Sequence, residues 1–267
     1  MNKLVRAAVV LIALSVMSIS GYKLLEIFSE YRQGENVYIG ALDEFVLSES
    51  TKAPDKNTDT IDGPSRTMPP RTEDVFKKEV PIEIDFDSLI QKYPDVIGWI
   101  YCEDTPINYP VVQADDNDHY LYRTYNGQDN KAGSIYADFR NSADFSDLNT
   151  LIYGHNMKND SMFGTLKDYY KQEYYNEHPV IWLLTPEKNY RLDLLAGKIV
   201  DVSSDAYTLF EDGDEFSEHV EWLMKRSSFE ANVDAESVER IVTLSTCTSA
   251  GDDDERYIVA CALVEID

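Results

Sequence analysis

Ile241-Val242-Thr243-Leu244-Ser245-Thr246-Cys247-Thr248, followed after a short loop by Arg256-Tyr257-Ile258-Val259-Ala260, is the stretch on which the fold reading turns. Both runs are apolar and rich in β-branched residues, and Ser, Gly and acidic residues separate them. That pattern predicts two strands. If they pair across the intervening loop, Cys247 at the exit of the first and Arg256 at the start of the second fall at the same end of the pair. Working outward, similar short runs bounded by turn residues occupy 106–113, 133–139, 150–153, 180–184, 190–202, 240–246 and 257–266. Seven or eight strands over the last part of the chain predict a mainly β fold with a closed or nearly closed barrel. Three helical segments punctuate it. Asp85 caps a short helix with Phe86, Leu89, Ile90 and Tyr93 on one face, ended by Pro94. A second is expected over 161–170. A longer one is expected over 215–227, with Asp212 and Glu215 spaced as in a capping box.

The 267-residue chain carries 49 Asp+Glu against 24 Lys+Arg, a net charge of −25. Without a basic stripe it is a poor partner for nucleic-acid phosphates. Three cysteines do not make a disulfide framework. The N-terminus sets the compartment. Lys3 and Arg6 precede an uncharged stretch from Ala7 to Tyr22, with Leu24 and Leu25 beyond Lys23. A helix over this region is about 33 Å long, enough to cross a bilayer. Positive-inside orientation then leaves residues 1–6 as a cytoplasmic tail and 7–25 as a single transmembrane signal-anchor. A cleaved signal peptide ending near Ser18, Ser20 and Gly21 is the competing reading, disfavoured because the apolar run continues past that point. Either way the rest is exported. Residues 26–80 are expected to be an extracytoplasmic stalk and linker. Residues 26–49 form a stalk helix or a partly ordered segment, and 50–80, with Pro54, Pro64, Pro69 and Pro70, form a disordered tether. If flexible throughout, 26–80 has a root-mean-square reach of about 40 Å. The catalytic body is expected over 81–267.

Four histidines and three cysteines can be weighed one by one. Cys102 and Cys261 lie within apolar runs and read as small buried hydrophobes. Cys247 leaves a strand into Thr248-Ser249-Ala250-Gly251, where side chains reach a cleft. His119, His178 and His219 sit among polar residues and read as surface histidines. His155, in Tyr153-Gly154-His155-Asn156-Met157, directly follows a strand and reads equally as a structural residue or a base. A thiol is activated by a neighbouring imidazole or guanidinium, and acyl transfer needs a donor aimed at the oxyanion. Arg256 suits that donor; a salt bridge to Asp252, Asp253, Asp254 or Glu255 is the alternative.

At these residues the chain resembles the sortases, and within them class B. Thr243-Leu244-Ser245-Thr246-Cys247-Thr248 matches the family's Thr-Leu-x-Thr-Cys signature, with Arg256 nine residues after the cysteine. Tyr153-Gly154-His155-Asn156-Met157, followed by Ser161-Met162-Phe163-Gly164, resembles the class B histidine region. Pro94-Asp95-Val96-Ile97-Gly98-Trp99-Ile100 and Ile107-Asn108-Tyr109-Pro110-Val111-Val112-Gln113 resemble its entry to the barrel. The resemblance implies an eight-stranded sortase barrel with an N-terminal helix and a longer helix inserted between late strands. It implies a membrane-anchored cysteine transpeptidase; from the residues themselves no metal or cofactor site is expected, because the histidines are scattered and no Cys/His ligand spacing appears. Cys247 attacks the Thr carbonyl of a C-terminal sorting signal of Asn-Pro-x-Thr or related type on a secreted protein. An amine of a cell-wall peptide or a pilin lysine resolves the thioacyl-enzyme. His155 moves protons and Arg256 holds substrate and oxyanion. By residue matching, Asn117, Leu121, Tyr153, Ser245 and, more weakly, Tyr207 are expected to bind substrate. The run Asp252–Glu255 departs from the pattern, and reads as a solvated loop or as an attraction for a cationic amine. Two alternatives remain open: another exported cysteine acyl-transferase or peptidase acting on peptidoglycan, and a non-catalytic surface binding module in which Cys247 is inert.

Overall fold

The computed structural model describes residues 3–49, 79–248 and 254–266. Its first element, α1 (Lys3–Phe45), is one unbroken helix. No proline interrupts it, and Leu11, Ile12, Met17, Leu24 and Leu25 are exposed along its first part. It is the one described helix long and apolar enough to cross a membrane. Further along, Tyr38, Ala41 and Phe45 are buried. The chain then enters β1 (Val46–Glu49), which pairs antiparallel with β2 (Ile82–Ile84). Residues 26–49 are thus helix followed by a strand. Residues 50–78 of the expected tether lie outside the described residues.

Asp85 caps α2 (Phe86–Lys92) by accepting the Ser88 N–H at 3.0 Å, and Leu89 is its buried anchor. Eight strands follow: β3 (Val96–Tyr101), β4 (Asn108–Val112), β5 (Ile135–Ala137), β6 (Asn149–Tyr153), β7 (Val180–Leu184), β8 (Asn189–Asp201), β9 (Ile241–Cys247) and β10 (Glu255–Ile266). They close a barrel in the order β10-β8-β7-β3-β4-β5-β6-β9. The β4–β5 and β6–β9 pairs are parallel and the others antiparallel. β3 is absent from the seven runs singled out in the sequence. It contains Gly98, where a Cβ would stand 2.9 Å from the Leu184 carbonyl oxygen, and its pairing with β4 is irregular between Val96 and Gly98. The strand therefore breaks the alternation that marks its neighbours.

Two helical expectations are corrected. Over 161–170 only Leu166–Tyr170 is helical, as a 3-10 turn, and α3 (Gln172–Glu177) follows it. Asp160 and Met162 have left-handed backbone (φ 61° and 56°), which prevents a helix from starting there, while Phe163, Leu166 and Tyr169 are all buried in the main core. The long helix, α4 (Gly213–Met224), starts and stops earlier than the expected 215–227. Asp212 caps the Asp214 N–H at 2.7 Å, and Arg226 at φ 62° turns the chain away.

The strands are apolar on both faces because both are covered. Along β10, Tyr257, Val259, Cys261 and Leu263 point into the main core, whereas Ile258 and Ala260 belong to a second cluster with Phe216, Val220 and Leu223 of α4. α4 thus seals the outside of β8, β9 and β10.

His219 of α4 corrects a further expectation. It is 6 % exposed, packed between Phe210 and Trp222, and its Nε2 has no hydrogen-bond partner. Burial lowers its pKa from 6.5 to about 4. The unfolded chain therefore binds the extra proton first, so this site's contribution to stability is intact above pH 6.5 and is lost as pH falls from there to about 4. Comparing urea unfolding of the chain with its His219→Phe variant between pH 7 and pH 4 should show the parent losing about 3 kcal/mol more than the variant.

Candidate active site

Three strand ends build the site. β6 and β9 run parallel with Tyr153 opposite Ser245. Both strands therefore leave the barrel at the same rim, and the next residues facing the same way are His155 on one and Cys247 on the other. β10 is antiparallel to β9, so it begins where β9 ends, and Arg256 is the register partner of Cys247. The expected pairing of the two C-terminal runs, with these residues at one end, is what the barrel contains.

His155 is held on all sides. Gly154 continues the ladder through its N–H to the Ser245 carbonyl, 3.2 Å. A Cβ on Gly154 would stand 2.5 Å from Ile135 Cδ1 and 2.7 Å from the Phe163 ring, so only glycine fits. The Phe163 N–H donates to the His155 carbonyl at 3.0 Å. The imidazole Nε2 lies 2.7 Å from the Leu121 carbonyl oxygen, and its ring stacks on Tyr122 with centroids 5.5 Å apart. A carbonyl only accepts, so Nε2 carries the proton and the neutral ring keeps its lone pair on Nδ1. Burial lowers the His155 pKa, and the bond to Leu121 opposes that shift in part.

Cys247 is exposed at the end of its strand, and Asn156 Nδ2 donates to its carbonyl at 2.9 Å. Cys102 and Cys261 are buried, and burial raises the pKa of both thiols. Arg256 donates an Nη1 hydrogen to the Glu255 carbonyl at 3.0 Å. Of the acidic run, Asp252 and Asp253 lie outside the described residues.

A cleft of about 470 Å³ opens at this rim. Cys247, His155, Arg256, Asn117, Leu121, Tyr153, Ser245 and Tyr207, all eight residues singled out in the sequence, line it together. The Tyr207 and Ser245 hydroxyls are 3.0 Å apart, and the rings of Tyr153 and Tyr207 stack at 6.3 Å.

The groove wall also depends on residues the sequence reading missed. Asp138, 0 % exposed, receives Arg140 Nε at 2.8 Å and Nη2 at 2.9 Å, the Tyr153 hydroxyl at 2.8 Å and Asn117 Nδ2 at 3.1 Å. Burial pushes its pKa up, but the Arg140 side chain and backbone, Tyr153 and Asn117 together outweigh it and hold the carboxyl at about 2. Two of the expected groove residues are thus oriented by one buried carboxylate. Asn149 does the same for the Tyr207 segment. Its Nδ2 donates to the Ala206 and Thr208 carbonyls at 3.2 and 3.0 Å, and its Oδ1 accepts from Thr243 Oγ1 at 2.8 Å. The polar cluster Asp138-Phe139-Arg140-Asn141 directly after an apolar run was the available signal for Asp138; nothing in the local sequence marks Asn149.

A barrel whose rim gathers a cysteine, a histidine and an arginine in one cleft defines a class of protein, and comparison with known proteins agrees. Residues 100–264 match the Sortase domain family, and the chain belongs to that family. Within it, the similarity runs to class B. The chain is 31 % identical to Sortase B of Staphylococcus aureus over 189 residues, covering 70 % of this chain and 78 % of that protein. It is 37 % identical to Sortase B of Listeria monocytogenes over 161 residues, 59 % of this chain and 65 % of that protein. The crystal structure of sortase B from B. anthracis in complex with AAEK1 superposes with a TM-score of 0.68 at 29 % identity, covering 90 % of this chain and all (100 %) of that one. A sortase B–substrate complex from S. aureus superposes with a TM-score of 0.63 at 29 % identity, covering 68 % of this chain and 86 % of that one. The chain is a class B sortase, a cysteine transpeptidase by family.

Two substitutions test the scaffold. Asp138→Ala leaves a phenol, an amide and a half-exposed guanidinium without their acceptor, and is expected to cost about 1–3 kcal/mol in denaturant unfolding. Gly154→Ala overpacks the Ile135–Phe163 contact, at a cost of about 1–3 kcal/mol. Because it displaces the backbone next to His155, it should lower turnover well beyond what the unfolded fraction explains, measured at a temperature where the variant is folded.

Proposed function

We propose that Cys247, His155 and Arg256 are the catalytic groups and that the cleft receives an extended C-terminal sorting peptide. The observation that carries this reading is the convergence of the three side chains on one cleft, with the imidazole oriented by the Leu121 carbonyl. Neutral His155 takes the Cys247 proton on Nδ1 as the sulfur attacks the Thr carbonyl. The oxyanion and the peptide backbone are held by Arg256. The tetrahedral intermediate collapses, the C–N bond after Thr breaks, and the imidazolium gives its proton to the departing amine. A thioester on Cys247 remains. The acceptor amine attacks it, passes a proton to His155, and an amide forms as the cysteine is released. Asn117, Leu121, Tyr153, Ser245 and Tyr207 line the path of the peptide.

The acyl donor is a secreted protein with an Asn-Pro-x-Thr-type signal, and the acceptor an amine of a cell-wall peptide or a pilin lysine. Anchoring is through the apolar part of α1, with Lys3 and Arg6 on the cytoplasmic side and the barrel outside. The mean hydropathy of that helix and the exposure of its apolar side chains support a span.

Incubation of the protein with a panel of quenched sorting peptides, followed by mass spectrometry, tests the reading. An acyl adduct should appear on Cys247, cut after Thr, and Cys247→Ala should form none. His155→Ala should lower kcat/KM about 10²–10⁴-fold. Arg256→Ala should lower it about 10²-fold, and Arg256→Lys should restore only part of that, because an ammonium lacks the planar fork. With neutral His155 as the working form and its pKa held below 6.5, the acid limb of kcat/KM should fall below pH 6.5. An inert Cys247 toward small electrophiles and every peptide would favour the binding-module reading.

A further inference from the structure

Beyond its apolar part, α1 lies on the barrel along one face, at Glu30, Gly34, Tyr38, Ala41 and Phe45, spaced three or four residues apart. Asn130 Nδ2 donates to the Glu30 carbonyl at 3.0 Å, and Lys131 Nζ pairs with the Glu30 carboxylate at 2.6 Å. A Cβ on Gly34 would stand 2.8 Å from Asn130 Oδ1, so glycine lets the loop lie on the helix. The Tyr38 hydroxyl donates to the Gly133 carbonyl, and its ring meets Tyr109 edge-on at 5.1 Å. Ala41 and Phe45 are fully buried, and the Phe45 carbonyl accepts the Asp85 N–H at 2.9 Å. Glu49 is then paired with Ile82. The connection from the apolar segment to the barrel is therefore α1 itself.

That connection is short. From Lys23, the first charge after the apolar run, to Glu30 is seven residues, about 10 Å of helix and close to the thickness of one headgroup layer. It also reaches the site. The Asn130 N–H donates to the Tyr122 carbonyl at 2.9 Å, and the Ser134 N–H to the Tyr120 carbonyl at 3.1 Å. Between these two lies Leu121, whose carbonyl orients His155, and the Tyr122 ring covers the imidazole. Glu30 and His155 are thus held by the two sides of one loop.

We propose that α1 is a rigid mount that holds the Cys247 cleft at one height above the bilayer, so that peptide and amine are taken only when presented there. This differs from a body swinging on a tether with a reach of about 40 Å. The proposal rests on the reading that the apolar part of α1 spans the membrane.

The test uses the full chain in phosphatidylcholine vesicles, with the sorting peptide coupled to lipid through polyproline spacers of graded length, about 3.1 Å per residue. Cleavage should peak at one spacer length and fall at least fivefold some 15 Å to either side. A seven-residue helical insert between Ile27 and Phe28 adds about 10 Å with nearly two full turns of rotation, and should move the optimum outward by that amount. A twelve-residue Gly-Ser insert at the same place should flatten the profile. Both variants should cleave free peptide in detergent at the parent rate. Energy transfer from a dye on E187C, in a Cys247→Ala background, to acceptors in the bilayer reads height without catalysis, and should drop with the helical insert. A flat profile in the parent, or transfer unchanged by that insert, overturns the mount. A chain that fails to float with vesicles overturns the span and the mount together. Absence of any free-peptide cleavage overturns acyl transfer alone, because energy transfer still decides the mount.

Discussion

The parallel pairing of β6 with β9 is the constraint on which the site depends. Most neighbours in this barrel are antiparallel, and adjacent antiparallel strands send their C-terminal ends to opposite rims. Here the register Tyr153–Ser245 carries both strands out at one rim, so His155 and Cys247 leave the sheet side by side. The side-chain period of a strand is two, so a one-residue slip would turn one of them away from the cleft. Closure of the barrel prevents that slip, because β9 is also locked to β10, and β10 to the long strand β8. The same lock delivers Arg256 to the rim.

What the strands position, buried polar contacts then orient. Asp138 is a buried carboxylate with a bidentate arginine and two neutral donors, and its remaining acceptor capacity is used by the Arg140 backbone N–H at 3.0 Å. A charge so placed is tolerable only when fully partnered. Its partners are groove residues, so the requirement that satisfies the carboxylate also fixes the groove wall. Asn149 couples the Tyr207 segment to the barrel by the same logic, with neutral groups.

The imidazole belongs to a second chain of contacts, which runs to α1. The Leu121 carbonyl sets the His155 tautomer, the loop carrying Leu121 is braced at Gly133 and Asn130, and these rest on α1 at Tyr38 and Glu30. A helix that begins in an apolar run thereby ends as part of the support for the histidine. Gly133, with φ 58° and a hypothetical Cβ 2.4 Å from the Leu121 carbonyl oxygen, is the position at which that loop can fold back so closely.

Residues such as Ile241–Cys247 and Tyr257–Ile266 were legible as strands because their composition and length are local properties. So were the Asp85-capped helix, the Asp212 cap and the apolar run of α1. The Thr-Leu-Ser-Thr-Cys and Tyr-Gly-His-Asn-Met segments, taken with Arg256, identified the rim residues through their resemblance to known sortases, and all eight expected positions line one cleft. β3 was illegible as a strand from its pattern, because Gly98 answers to the Leu184 backbone across the sheet; so was the 161–170 segment, because Asp160 and Met162 take left-handed backbone that their side chains do not announce. His219 read as a surface residue because its surroundings in sequence are polar, while α4 turns it inward between Phe210 and Trp222. The sequence by itself determined seven of the eight barrel strands and the apolar N-terminal helix, since each is written in contiguous residues. Only the tertiary structure decided the parallel register that joins His155 to Cys247, the Asp138 and Asn149 braces and the seat of α1 on the barrel, since each is a contact between residues far apart along the chain.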